Sequence, residues 1–183
     1  MKKSLKTRFY CLDKGVHLNE ELIDLALSNL ETVGIDISNR EIDHLAYRCT
    51  SNGEFRKIRE QMLTNYGNLL AENIIRNRPI PIFKLVDPIQ YRGYEVPCLE
   101  IMAPAEGDRE YKRKLEHLEI VIDDMPLVKF ASQYPNIKFN TENLSNKNNP
   151  ELVLTFSNDA NVKFHPIPIE KVIKQVKSSY PLS

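Results

Sequence analysis

"IDHLAYRCT", residues 42–50, and "LEHLEIVID", residues 115–123, decide how this 183-residue chain is read. Each is a short run of alternating apolar residues with one histidine inside it, an acid just before that histidine and a leucine just after. Alternation over so few residues predicts a half-buried β-strand. Side chains on a strand alternate between its two faces. In the second run Leu118, Ile120 and Ile122 therefore share one face, and His117, Glu119 and Val121 share the other. The first run divides alike, with Leu45, Tyr47 and Cys49 opposite His44, Ala46 and Arg48. The apolar rows must meet helices, so both histidines point into whatever the sheet curves around.

Outward from these two strands the same element order is read twice. Residues 51–67 follow the first, with Ser51 and Glu54 at capping-box spacing and Phe55, Ile58, Met62 and Tyr66 on one face, which predicts a helix ending at Gly67. Three strands are expected next: "NLLAENIIR" (68–76), "IPIFKLV" (80–86) and, after a "DPIQYRG" loop (87–93), "GYEVPCLEIMAP" (93–104). The second histidine strand is followed by a short helix within 124–134, then by strands "NIKFNT" (136–141), "ELVLTFS" (151–157) and "NVKFHPIP" (161–168), with the Asn-rich "ENLSNKNNPE" (142–151) as a loop. Ile169, Val172, Ile173 and Val176 then give a closing amphipathic helix.

The expectation is a single α+β domain built as two βαβββ modules, residues 39–106 and 107–183. They form one curved mixed sheet, a cup, with helices on its outer face. An N-terminal helical segment, residues 1–38, precedes them. Within it, residues 19–34 read as a helix with Asn19 as N-cap, an apolar stripe of Leu22, Ala26, Leu30 and Val33, and Gly34 at its end. The run "EGDREYKRK" (106–114) reads as a solvated linker between modules.

Equivalent modules place His44 and His117 at the same point of each, so a pseudo-twofold axis would bring them together. Alternation adds Glu100, between Leu99 and Ile101 on the last strand of the first module, and His165, after Phe164 on the last strand of the second. First and last strands are spaced alike, 56 residues from His44 to Glu100 and 48 from His117 to His165. Imidazole nitrogens and a carboxylate converging in a cup suit a divalent transition metal: zinc, nickel, iron, cobalt or manganese. Such an ion polarises a carbonyl, stabilises an enediolate or activates water. Arg48, Glu119 and Lys163 fall on the same inner face. Arg48 and Lys163 either hold a substrate carboxylate or phosphate or neutralise the cup as internal ion pairs. Glu119 is a candidate general base should its pKa be raised, with His165 as a second catalytic candidate. His17 reads as a surface residue.

Totals narrow the function. Lys plus Arg equals Asp plus Glu at 25 each, so no global field favours nucleic acid or anionic lipid. The expected partner is a small-molecule substrate, with no nucleic acid and no membrane. Residues 1–18 lack the apolar core of a secretory signal and no run approaches a membrane span, which predicts a cytoplasmic protein. Cys11, Cys49 and Cys98 show no C-x-x-C spacing and are expected to be reduced and buried. A complete cup in one chain makes a monomer sufficient and is compatible with a dimer.

The arrangement resembles the vicinal oxygen chelate superfamily, and within it the YecM-like proteins, through "DHLAYRC" (43–49), "CLEIMAP" (98–104), "LEHLEIVI" (115–122) and "VKFHPIPIE" (162–170). The resemblance implies a metal-holding cup with His44, Glu100 and His117 as ligands and His165 on the fourth ligand strand. The chain departs from the glyoxalase-type pattern, in which that last strand carries a glutamate that is both ligand and base. An isomerase, lyase or oxygenase is implied, with a non-catalytic small-molecule binding protein as the alternative.

Overall fold

The computed structural model describes residues 11–12, 16–17, 20–75, 77–104 and 115–179. Two two-residue strands, β1 (Cys11–Leu12) and β2 (Val16–His17), pair antiparallel. The linker at 106–114 and the proposed N-cap Asn19 lie outside the described residues, as do the side chains of Cys11 and His17.

Helix α1 (Glu20–Thr32) buries Ile23, Ala26, Leu27 and Leu30, while Val33 is 37% exposed. The stripe is thus rotated from the expected one, because Ile23, Ala26, Leu27 and Leu30 follow the i, i+3, i+4, i+7 pattern more closely. Gly34 does close the helix. Its φ is +75°, its N–H bonds the Glu31 carbonyl and the Ile35 N–H bonds the Leu30 carbonyl, both at 3.0 Å, the pattern of a Schellman cap.

Strand β3 (Ile42–Arg48) leads to α2 (Asn52–Gln61), where Ser51 Oγ accepts from the Glu54 N–H at 3.1 Å. The reciprocal arm of the capping box goes elsewhere: the Glu54 carboxylate accepts from the Thr50 N–H and from the buried Tyr47 hydroxyl, each at 2.7 Å. The helix ends in a π-turn, Met62–Tyr66, before Gly67 opens β4 (Gly67–Ile75). A Cβ at Gly67 would lie 2.9 Å from Met62 Cε and 3.0 Å from Phe83 Cβ, so the close approach of turn and strand requires glycine.

Strand β5 (Arg78–Tyr91) runs through the stretch expected to loop, residues 87–93. Its register against β6 (Tyr94–Met102) breaks between Lys84 and Ile89, an irregularity that accommodates Pro88, which has no N–H to donate. The turn itself is only Arg92-Gly93, with φ of +48° and +86°, the left-handed pair of a type I′ hairpin.

The second module is abbreviated. Strand β7 (Leu115–Val121), α3 (Leu127–Ser132), β8 (Leu152–Thr155) and β9 (Asn161–His165) are present. The expected strand at 136–141 is reduced to a bridge between Asn140 and Val153. Asn140 Oδ1 accepts from the Glu142 N–H at 2.9 Å, turning the chain into a 3-10 helix (Glu142–Ser145) instead of extending the ladder.

All seven long strands form one mixed sheet in the order β4-β5-β6-β3-β7-β9-β8, confirming the expected curved α+β architecture. The modules meet where β3 and β7 pair antiparallel, with Leu45 directly opposite Leu118. In each module the first strand pairs parallel with the last, β3 with β6 and β7 with β9. Helices α1, α2 and α3 cover one face through a single core that includes Ile23, Phe55, Ile58, Phe130 and, from the sheet, Leu45, Tyr47, Leu99, Leu118 and Phe164. Helix α4 (Ile169–Ser179) is the exception to the outer helix layer. Its Ile169 and Val172 pack on Ile82 and Cys98, which share their face with Glu100. Pro166 and Pro168 follow the last residue of β9, and Ile169 and Val172 then meet an apolar patch of the inner face. Cys49 and Cys98 are buried thiols outside any disulfide, as expected. Among the described residues no helix is long and apolar enough to cross a membrane.

Candidate metal centre

Pairing of Leu45 with Leu118 puts the pseudo-twofold axis at that pair, relating His44 to His117. Their ring centroids lie 5.5 Å apart. Glu100 reaches them from β6, where it pairs with Ala46, and its Oε2 is 3.7 Å from His44 Nε2. One ligand atom from each of His44, Glu100 and His117 falls within 4.8 Å of the others. His44 Nε2 and His117 Nε2 are buried without any hydrogen-bond partner. Both line a cavity of about 330 Å³ together with Glu100, Glu116, Glu119, Glu151, Lys163 and Asn149.

Register also places the fourth strand. Glu100 pairs with Ala46, whose counterpart across the axis is Glu119, and Glu119 pairs with Lys163. Lys163 is therefore the positional equivalent of Glu100. His165 pairs with Val121, one alternation further along, and corresponds to Met102. It is fully buried, 6.5 Å in ring centroid from His44, and stands outside the three-residue set and the cavity lining. Its Nε2 lies 3.4 Å from Asp43 and its Nδ1 3.4 Å from Glu119.

Asp43 is the site residue that alternation concealed. A strict pleat turns it toward the helices with Leu45. The β3–β7 register instead shifts between Ile42 and His44, so that Ile42 and Leu45 both enter the outer core while Asp43 and His44 both turn inward. Asp43 Oδ2 is 2.9 Å from His44 Nδ1 and accepts the Ile169 N–H of α4 at 3.0 Å. With Nδ1 bound there, His44 presents Nε2 to the cavity, the usual arrangement of a carboxylate behind a metal-binding histidine. The only hint in the sequence is the acid preceding the histidine.

The two expected anion-binding residues are committed to ion pairs. Arg48 is salt-bridged to Glu116, and Lys163 Nζ lies 3.2 Å from Glu151 and 3.5 Å from Glu119. Burial disfavours the Lys163 cation, but Glu119, Glu151 and Glu100 outweigh it and raise its pKa. Glu119 departs from the raised pKa that a general base requires. Burial alone would raise it, but His44, His165, His117 and Lys163 together hold its carboxyl well below the usual range. The imidazoles are split. Burial opposes the His44 cation, yet Glu119, Asp43 and Glu100 raise its pKa to about 9. Burial and then Lys163 push His117 well below 6.5, leaving it neutral with a free lone pair. Burial raises Glu100.

The donor set fits a divalent transition ion: two unpartnered imidazole nitrogens and one carboxylate at ligand spacing, with no thiolate among them. When bound, such an ion supplies Lewis acidity to an oxygen-bearing ligand. His44, Glu100 and His117 would hold it, and Asp43 would orient His44.

A model of the family described as "YecM protein" matches residues 19–175. Protein YecM of Escherichia coli K12 is 29% identical over 162 residues, covering 80% of this chain and 84% of that protein. A solved structure described as "Structural Genomics, Protein EC4020" is similar at TM-score 0.70 and 28% identity, covering 85% and 87% of the two chains. A Streptomyces coelicolor methylmalonyl-CoA epimerase is similar at TM-score 0.45 and 11% identity, covering 68% of this chain and 96% of its own.

Proposed function

Because the chain belongs to the YecM family, whose model spans most of its length, we propose that the cup is a divalent-metal site of the vicinal oxygen chelate type. In this reading His44, Glu100 and His117 hold the ion, and a small oxygen-bearing molecule completes its coordination within the cavity. The reaction class is isomerase, lyase or oxygenase. The observation that carries the proposal is the convergence of two buried, unpartnered ring nitrogens and a carboxylate on one cavity. An unpaired buried polar atom is costly, and an ion that takes the His117 lone pair and replaces the His44 Nε2 proton removes that cost.

The remaining residues have roles that do not pass through the ion. Asp43 fixes the orientation of His44. Lys163 lines the cavity between Glu119 and Glu151, and Glu119 also lies against His44 and His117. His165 supports Glu119 from behind rather than meeting the ligand.

One observation favours the alternative of binding without turnover. The two candidates for proton transfer on the cavity wall are already engaged, Glu119 by three imidazoles and Lys163, and Lys163 by two glutamates. Titration of metal-free, untagged protein with cobalt(II), followed by visible absorption, tests the site. Saturation at one equivalent, abolished in His44→Ala, Glu100→Ala and His117→Ala with circular dichroism unchanged, is the expected result. Equal cobalt uptake by the three variants would remove the proposal.

A further inference from the structure

The charge of the cavity says which ligands it admits. Asp43, Glu100, Glu116, Glu119 and Glu151 bring five carboxylates to the cavity wall or directly behind it, against two permanent cations, Arg48 and Lys163. An ion of charge two on the histidines leaves this ensemble one unit negative. Neither cation is available to a ligand anion without giving up a carboxylate, since Arg48 pairs with Glu116 and Lys163 lies between Glu119 and Glu151. Glu151 is fixed further by Asn143, whose Nδ2 donates to it at 2.6 Å. The wall carries acceptors in the Glu116 and Glu151 carboxylates and in Asn149 Oδ1, a buried oxygen with no partner.

Resting on the metal reading above, we propose that the cup selects a neutral or cationic small molecule that chelates through two oxygens and donates hydrogen bonds from hydroxyl or ammonium groups, and that it rejects anions. Rejection follows from Coulomb repulsion across the cavity, where one unit charge a few ångströms from another changes affinity by about tenfold or more. Selection follows from pairing: a ligand donor satisfies Asn149 Oδ1, whereas a ligand acceptor leaves it unpaired.

A series with one chelating head and three tail charges tests this on cobalt-loaded wild-type protein. β-Alanine hydroxamate, propionohydroxamate and the monohydroxamate of succinic acid carry cationic, neutral and anionic tails of similar length, and each is titrated into the cobalt spectrum. The expected order of affinity is cation, then neutral, then anion, with about tenfold or more between the extremes. Glu151→Gln and Glu116→Gln, each removing one negative charge, are expected to narrow that gap by about threefold or more, and raising ionic strength to narrow it less. Equal or tighter binding of the anion, or a gap unchanged in both variants, would overturn the inference while leaving the metal site intact. Failure of all three hydroxamates to perturb a bound cobalt spectrum would overturn it as well. Absence of cobalt uptake would instead overturn the metal reading on which it rests.

Discussion

At the residue scale the site is a matter of which atoms have partners. His44 differs from His117 in having its rear nitrogen held, by Asp43 at 2.9 Å. That contact holds the ring with Nε2 facing the cavity, so Asp43→Asn is expected to weaken metal affinity by about 10- to 100-fold. Competition against a chromophoric chelator measures it, and an unchanged denaturation midpoint for the metal-free protein separates orientation from folding. Alternation was enough to put His44, Glu100 and His117 on one face, where one ligand atom of each lies within 4.8 Å of the others. Asp43 escaped because alternation presumes an unbroken pleat, and a bulge is fixed by what the neighbouring strand does. Alternation put His165 on the inner face as the counterpart of Glu100, whereas the register with β7 makes Lys163 that counterpart. Register is set by long-range pairing, which leaves little trace in a local sequence.

At the element scale local chemistry was easiest to read where one short motif settles a terminus. Gly34 closes α1 and Ser51 caps α2 as their types predict. Glu54 leaves the capping box because Tyr47, buried on β3, needs an acceptor for its hydroxyl. Tyr47→Phe is therefore expected to destabilise the fold by about 1.5–3 kcal/mol, the range for a hydrogen bond to a charged group, measured by urea denaturation, with cobalt stoichiometry unchanged. The strands misjudged were those where a proline or asparagine gives an ambiguous signal. Pro88 sits in an irregularity of β5 and not in a loop, while Asn140 turns a promising strand away after a single bridge. Helix α4 carries its own prediction. Val172 lies in the apolar contact that covers Cys98, so Val172→Asp is expected to release the helix and open Cys98 to a thiol reagent. Mass spectrometry after brief labelling should find Cys98 modified in the variant and intact in the wild type.

At the scale of the whole molecule, the repeat was visible from its two histidine strands, and the sheet order bears it out through the β3–β7 junction and the parallel outer pairs. The closing helix on the inner face was not visible, because an amphipathic stripe states that a helix needs an apolar partner without saying which side of the sheet supplies one. Metal binding should also register globally. A ligand present at a hundredfold excess over its dissociation constant stabilises the native state by about 2.7 kcal/mol, so cobalt is expected to raise the urea midpoint of the wild type and leave His117→Ala unmoved. The central claim, that the cup is a metal site, is tested most directly by elemental analysis of protein purified without a histidine tag or added chelator. Close to one equivalent of a single transition metal is expected in the wild type and in His165→Ala, and none in His117→Ala. A wild type that carries no metal and takes up none from zinc, nickel, iron, cobalt or manganese would contradict it.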